Sequence, residues 1–232
     1  MTISRSPEAR VGGATRARIL NAAEALFVEQ GFEATSLRQI TANAGANLAA
    51  VNYHFGTKEA LVREVFDRRL RVINAERLAG LDAAEAEAHG RPLAPAKLIE
   101  AFLLPVLRMS KDRAHGGHAF IRLLGRAYTE PTETVRKLLA QEYVEVLERF
   151  KRALLRALPE LPEKELIWRV HFALGAMSYA IAGADSVQLI ASYEVRDTDD
   201  IESIVQRIVP FIVAGLSAPV STASPRPERR AA

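Results

Sequence analysis

The sequence predicts an all-α fold of about nine helices. Three observations carry that expectation. Apolar residues recur at three- and four-residue intervals along most of the chain, the period of a helix with one buried face. No stretch alternates Val, Ile and Thr with polar residues as a half-buried strand does. Ala and Leu are abundant while aromatics make up 6% of the 232 residues, a mix that favours helix. With 49% hydrophobic and 25% charged residues, the chain can bury a sizeable core.

The elements follow from local punctuation. Helix 1 is expected over about 16–30, with Thr15 as N-cap and Ile19, Ala22, Ala23, Leu26 and Phe27 on its apolar stripe. Gly31 suits the left-handed residue after its end, and Phe32 can fold back onto it. Helix 2 is expected over about 36–44, capped by Thr35 or Ser36; Ser36 with Gln39 would make a capping box. Gly45 ends it. Helix 3 is short, about 48–54, with Asn47 as N-cap and Phe55-Gly56 closing it. Thr57 caps helix 4, whose stripe is Leu61, Val65, Phe66, Leu70 and Ile73 and which fades near Gly80. Residues 82–96 read as a loop. Helix 5 covers about 96–110 with a kink at Pro105. Helix 6 covers about 117–128, and helix 7 runs from near Pro131 to about 157, stopped by Pro159 and Pro162. Helix 8 covers about 163–182, and helix 9 about 199–216, entered through the acidic turn Asp197–Asp200.

Segments 1–14 and 217–232 lack periodicity, carry Pro, Gly or Ser, and read as disordered tails. They hold net charges of +1 and +2, so the body between them is neutral and the overall +3 is no argument for nucleic acid. Without Cys, disulfide scaffolds, Cys-ligated zinc, iron–sulfur clusters and thiol nucleophiles are excluded. No apolar run reaches membrane-spanning length and no signal-peptide core precedes helix 1, so a soluble, cytoplasmic chain with no membrane partner is expected. The common signatures of dinucleotide, P-loop, serine-hydrolase and zinc-protease sites are missing, and neither a cofactor nor a metal is expected. His115 and His118 flank a Gly pair and read as a loop rather than as metal ligands.

Helices 2 and 3, joined by Gly45-Ala46-Asn47, have the outline of a helix-turn-helix, in which the second helix enters the major groove. Spacing alone also fits an ordinary three-helix core, and four basic against four acidic residues in 15–61 add nothing. The residues themselves decide. Ile19-Leu20-Asn21-Ala22-Ala23-Glu24-Ala25-Leu26-Phe27, Gly31-Phe32, Thr35-Ser36, Ala44-Gly45 and the run Asn52-Tyr53-His54-Phe55-Gly56-Thr57-Lys58-Glu59-Ala60-Leu61 closely resemble the N-terminal domain of TetR-family transcriptional repressors over about 15–62. One departure is Val51-Asn52 where the commonest family form has Leu-Tyr, which displaces the tyrosine to Tyr53.

That resemblance implies a DNA-binding domain over 15–62, a ligand and dimerisation domain over 63–216, and a homodimer reading a palindromic operator. By position, Arg38 would reach a base or phosphate, Leu48, Ala50 and Asn52 would face the groove beside Asn47, and Tyr53, His54 and Lys58 would contact phosphates. Asn suits adenine and Arg suits guanine. The bland alternatives are packing of Tyr53 on helix 1, a capping or core role for His54, and simple solvation for Lys58.

In the second half, Phe120-Ile121-Arg122-Leu123-Leu124-Gly125, Trp168-Arg169-Val170-His171-Phe172 with Leu174-Gly175, and Val209-Pro210-Phe211 with Ala214-Gly215 resemble the PsrA-type branch of that family. That likeness implies a long-chain fatty acid or its CoA thioester as effector and fatty-acid metabolism as target. The residues are compatible with an acyl pocket lined by Phe102, Val106, Met109, Phe120, Leu123, Tyr143, Trp168, His171 and Leu174. Arg122 lies among apolar residues and should need a partner, either a Glu such as Glu142 or Glu145 or a ligand carboxylate. Helix 8 is rich in small residues and helix 9 is too apolar for an exposed last helix, so both are expected to pair with their symmetry mates. Two other readings stand beside this one: a TetR-type repressor for another hydrophobic ligand such as a drug, and an all-α lipid carrier with no DNA role.

Overall fold

The computed structural model describes residues 7–112, 116–129, 132–182 and 200–220. Among them are nine helices and no strand: α1 (Pro7–Gln30), α2 (Leu37–Ala44), α3 (Leu48–Phe55), α4 (Lys58–Glu87), α5 (Pro95–Lys111), α6 (Gly117–Thr129), α7 (Glu133–Ala157), α8 (Glu163–Ala182) and α9 (Ile201–Ser217). None of these helices is long and apolar enough to cross a membrane.

The N-terminal unit closes by its caps. At the end of α1, Gly31 takes φ +85° and its N–H bonds the Phe27 carbonyl, while Phe32 folds back to 5.3 Å between ring centroids from Phe27. The Thr35 hydroxyl is buried and donates to the carbonyls of Gly31 and Leu26. That leaves Ser36 as the cap of α2, in a full capping box with Gln39. Gly45, at φ +57°, ends α2. Arg18 of α1 fastens that turn, donating through Nε to Ala44 O at 3.0 Å and through Nη2 to Gly45 O at 3.4 Å.

Two helix boundaries differ from the sequence expectation. The first helix starts at Pro7, not after Thr15, so residues 7–14 of the expected tail are helical; Pro at the first position loses no helical hydrogen bond. The fourth helix continues through Gly80 and Asp82 to Glu87, turning residues 82–87 of the expected 82–96 loop into helix. Its acidic end is held by α7, where Arg149 pairs with Asp82 and with Glu85 at 3.1 Å. The last helix is capped by Asp200, whose carboxylate accepts from the N–H groups of Glu202 and Ser203; Asp197 lies outside the described residues. Its other end is tied down by Arg169, which donates to the carbonyls of Leu216, Ala218 and Pro219. Residues 218–220 of the expected C-terminal tail are thus anchored, and 221–232 lie outside the described residues.

Helix α4 organises the molecule. It packs on α1 on one side of its length and on α5 and α7 on the other. Helix α6 bridges α1 to α5 and α8, and α9 covers α5 and α8. The buried side chains of the two expected domains form one continuous core along α4.

Candidate functional site

The short helix α3 buries Val51 and Phe55 against the core and turns Leu48, Ala49, Asn52 and Tyr53 outward. Tyr53 is 85% exposed, which rules out packing on α1. Among the described residues its ring meets that of the half-buried His54 edge to face, with centroids 5.0 Å apart. Arg38 is exposed on α2, and Ala50 is half-buried at the start of α3. Asn47 caps α3: its Oδ1 accepts from the Ala50 N–H at 2.8 Å, leaving the amide NH₂ as its outward donor. Lys58, half-buried at the start of α4, reaches the Glu33 carbonyl at 3.4 Å and is not a free solvated charge. The α4 N-terminus is already engaged. Thr57 Oγ1 accepts from the Ala60 N–H, and the Glu59 carboxylate lies below its usual range, first through a backbone hydrogen bond and then through Thr57. Asn47, Leu48, Asn52, Tyr53 and Arg38 therefore share the outer surface of the helix-turn-helix.

Ion pairs fasten α1 to α4. Glu24 of α1 is buried and held by two arginines of α4: Arg68, and Arg69 at 2.9 Å. Arg16 pairs with Glu64 at 2.6 Å and lies 5.3 Å from the Phe55 ring centroid. These acids are spent on joining α1 to α4 rather than on the outer face of α3.

The second half holds three adjoining spaces. A groove of about 790 Å³ runs between α6, α7 and α8, lined among others by Arg122, Leu123, Tyr143, His171, Leu174 and Tyr179. An apolar cavity of about 190 Å³ lies between α5, α7 and α8, lined among others by Leu98, Phe102, Leu154, Leu166, Leu174 and Met177. A space of about 40 Å³ sits between them, bounded by Arg77, Phe102, Val106, Tyr128, Leu174 and Ser178 among others. Leu174 borders all three, and Tyr128 and Ser178 border both the groove and the small space. The Tyr128 hydroxyl lies 2.5 Å from that of Tyr143. Burial of the hydroxyl end, then proximity to Tyr143, push the Tyr128 phenol well above its ordinary range, against the opposing pull of Arg77, so it stays a neutral donor.

Phe102, Val106, Leu123, Tyr143, His171 and Leu174, expected in the pocket, border these spaces. The other four are placed differently. Phe120 is wholly buried against Phe66 of α4, 5.7 Å between ring centroids, and belongs to the core. Met109 is half-buried on α5 beside that core and borders none of the three spaces. Trp168 is 55% exposed and stacks on the exposed Phe172 outside the cavity. Arg122 was expected to be enclosed and paired; it is exposed on the outer edge of α6 at the groove mouth and makes no ion pair with Glu142 or Glu145. At 100° per residue, Phe120, Ile121, Leu123 and Leu124 turn inward and Arg122 turns out.

Sequence reasoning missed Arg77. It is only 3% exposed, donates through Nε to Phe102 O at 2.8 Å and through Nη1 to Asn74 Oδ1 at 3.1 Å, and lies 3.8 Å from the Phe102 ring centroid. The signal was present: Leu70, Ile73, Arg77 and Leu81 follow one helical stripe.

The cavity region and the helix-turn-helix are joined by an aromatic series. Phe27 of α1, Phe32 after it, Phe66 of α4 and Phe120 of α6 stand with successive ring centroids 5.3, 5.6 and 5.7 Å apart.

Comparison with known proteins agrees with this architecture. Residues 19–65 match the family described as bacterial regulatory proteins, tetR family, and residues 100–215, half of the chain, match the tetracyclin repressor-like C-terminal domain. The HTH-type transcriptional repressor Rv3405c of Mycobacterium tuberculosis is 42% identical over 86 residues, 35% of this chain and 46% of that protein. The Escherichia coli regulator UidR is 39% identical over 51 residues, 22% of this chain and 26% of that protein. The chain thus spans under half the length of these curated relatives. Among solved structures, the fatty acid degradation regulator FadR of Bacillus halodurans shares the fold with a TM-score of 0.63 at 13% identity, covering 92% of this chain and 98% of that one. The Streptomyces coelicolor TetR-family regulator SCO4454 does so at 0.58 and 17%, covering 92% and 97%.

Proposed function

Because the chain belongs to the TetR family of bacterial transcriptional regulators, we propose that it is a repressor that binds a palindromic operator as a homodimer and leaves it when a long-chain fatty acid or its CoA thioester occupies the spaces between α5, α6, α7 and α8. The observation that carries this reading is the outer face of α3. Asn52 and Tyr53 stand in solvent on a helix whose opposite face is locked into the core, the arrangement of a side chain that waits for a partner. On this reading Asn52, Leu48 and the Asn47 amide meet base edges, Arg38 meets a base or phosphate, and Tyr53 meets a phosphate. His54, Lys58 and Ala50 position the helix rather than read sequence.

The dimer surface in this reading is the outer side of α8 and α9. Trp168, Phe172 and Tyr179 on α8 and Phe211 on α9 are each at least half exposed. The opposite face of α9, with Ile208, Val209, Ile212 and Leu216, is buried within the chain. Apolar aromatic surface of this extent fits a symmetric helix-pair interface. The fatty-acid effector is supported by the apolar cavity lining and by the shared fold of the Bacillus halodurans fatty acid degradation regulator. Regulation of fatty-acid metabolism follows as the target class.

The test is a fluorescence-anisotropy titration on the DNA upstream of the protein's own gene at fixed salt, with and without oleate and oleoyl-CoA. Specific binding abolished by either lipid is the expected result. Specific binding that neither lipid alters removes the acyl effector and leaves the repressor.

A further inference from the structure

Arg77 is a buried cation with no anion. Its guanidinium is 3% exposed, and its two hydrogen bonds go to neutral oxygens, the Phe102 carbonyl and the Asn74 amide. No carboxylate pairs with it among the described residues. The Asn74 amide in turn donates to the backbone carbonyl of Glu142 on α7. A guanidinium removed from water without a counter-charge is strongly disfavoured, and such groups in folded chains are paired. The Phe102 ring 3.8 Å from Arg77 offsets part of that cost. What remains is a fork of donors beside a small space.

That space is small and chemically mixed. Its volume is about 40 Å³, room for a headgroup and not for a nucleotide. Tyr128 and Ser178 supply hydroxyls on one side, and Leu103, Val106 and Met177 supply apolar walls. It borders the apolar cavity through Phe102, Leu174 and Met177. A polar pole at Arg77 therefore adjoins space for an apolar chain.

We propose that Arg77 is the anchor for the anionic head of the effector, and that the effector is a free carboxylic acid with an apolar tail rather than a CoA thioester. This rests on the acyl-effector reading above and decides between its two forms. A carboxylate meets the guanidinium with charge-assisted hydrogen bonds and replaces the missing counter-charge. A thioester carbonyl is neutral and supplies no such counter-charge. Arg77 is also a residue of α4, the helix whose N-terminus adjoins α3, so an anion bound there acts directly on the element that carries the recognition helix.

The experiment is calorimetric titration of the full chain with decanoate, 1-decanol and decanoyl-CoA, repeated with the C14 and C16 series, each followed by operator-release measurements. Wild type should bind the acid at least about tenfold more tightly than the alcohol of equal length, the scale of one charge-assisted hydrogen bond. Arg77→Met should bring that ratio close to one, and Arg122→Ala should leave it unchanged. The ratio is internal to each variant, so general destabilisation does not move it. If Arg77→Met does not fold, Arg77→Gln replaces it, and the wild-type ratio is a test by itself. Equal binding of acid and alcohol, with operator release by both, overturns the anchor and keeps the acyl effector. Tighter binding of the thioester than of the acid also overturns it. No binding of any series member removes the acyl effector and the anchor together.

Discussion

Asn52 and Tyr53 are exposed residues on a helix that the rest of the domain holds rigid, and this separates their effect on DNA from their effect on folding. Asn52→Ala should weaken operator affinity by about 1–3 kcal/mol, the range for a lost bidentate base contact, with the melting temperature unchanged. Anisotropy and calorimetry on the same sample check both halves. Asp67 is the opposite case, a buried carboxylate whose Oδ1 has no hydrogen-bond partner and whose Oδ2 meets the largely exposed Arg71 at 3.3 Å. Burial first, then the charge of Glu142, push its pKa up. A carboxyl group with a raised pKa in the folded chain favours folding when protonated, and that contribution is lost as pH rises through the folded value. Asp67→Asn should therefore stabilise the protein at neutral pH by about 1 kcal/mol, roughly 2–4 °C, and the gain should shrink as pH falls toward the ordinary aspartate range. Melts at several pH values decide it. Arg122 and Arg77 show what sequence conveys at this scale. Arg122 looked enclosed because its sequence neighbours are apolar, yet adjacent helical residues point in different directions. Arg77 drew no reading from its immediate neighbours, yet it stands four residues from both Ile73 and Leu81.

Elements were legible wherever a cap is local. The Ser36–Gln39 capping box, Asn47 on α3 and Thr57 on α4 follow from residues within four positions of one another. The start of α1 and the end of α4 were not, and α4 shows why: its last turns are held by Arg149, more than sixty residues away. Gly31 is a position of this local kind. Its φ of +85° strains any side chain, while a Cβ there would meet the Arg126 guanidinium at an ordinary contact distance of 3.4 Å. Gly31→Ala should cost at least about 1 kcal/mol, read as a lower urea midpoint with unchanged slope. The joint between α1 and α4 is a second element-scale test. Glu24→Gln removes the charge that Arg68 and Arg69 share. Because Arg68 is about a third exposed, the loss should be roughly 2 kcal/mol rather than the 3–5 of a fully buried pair. The variant should also bind the operator less well at equal folded fraction, since α1, on which α3 packs, would be held less firmly to α4.

At the scale of the whole molecule, the all-helical class and the helix-turn-helix were legible because period and motif both repeat over many residues. The placement of Trp168 was not. An aromatic cluster at helical spacing fits a cavity and an interface equally well, and only the packing of α9 onto α8 and α5 shows which side faces out. Phe172→Glu and Phe211→Glu each place a charge on the proposed dimer surface without touching the core. Each should cost the interface about 2 kcal/mol or more and yield folded monomers with weakened operator binding, measured by light scattering after gel filtration. Trp168 is the chain's one tryptophan, so its emission should shift to the red as that surface is uncovered.

The uninterrupted length of α4 has a mechanical consequence. From Lys58 to Arg77 the helix is a stiff rod of about 28 Å at 1.5 Å per residue. A pivot of about 5° at the Arg77 end would swing the Lys58 end by about 2.5 Å along that rod. Two such rods related by a two-fold axis would double the change in separation between the recognition helices, against groove centres about 34 Å apart. A headgroup-sized adjustment is thereby geared up to a misfit on DNA, and stiffness rather than flexibility supplies the gain. A break in the rod, such as a double glycine at the exposed positions Arg71 and Val72, should leave effector binding intact and uncouple it from DNA release.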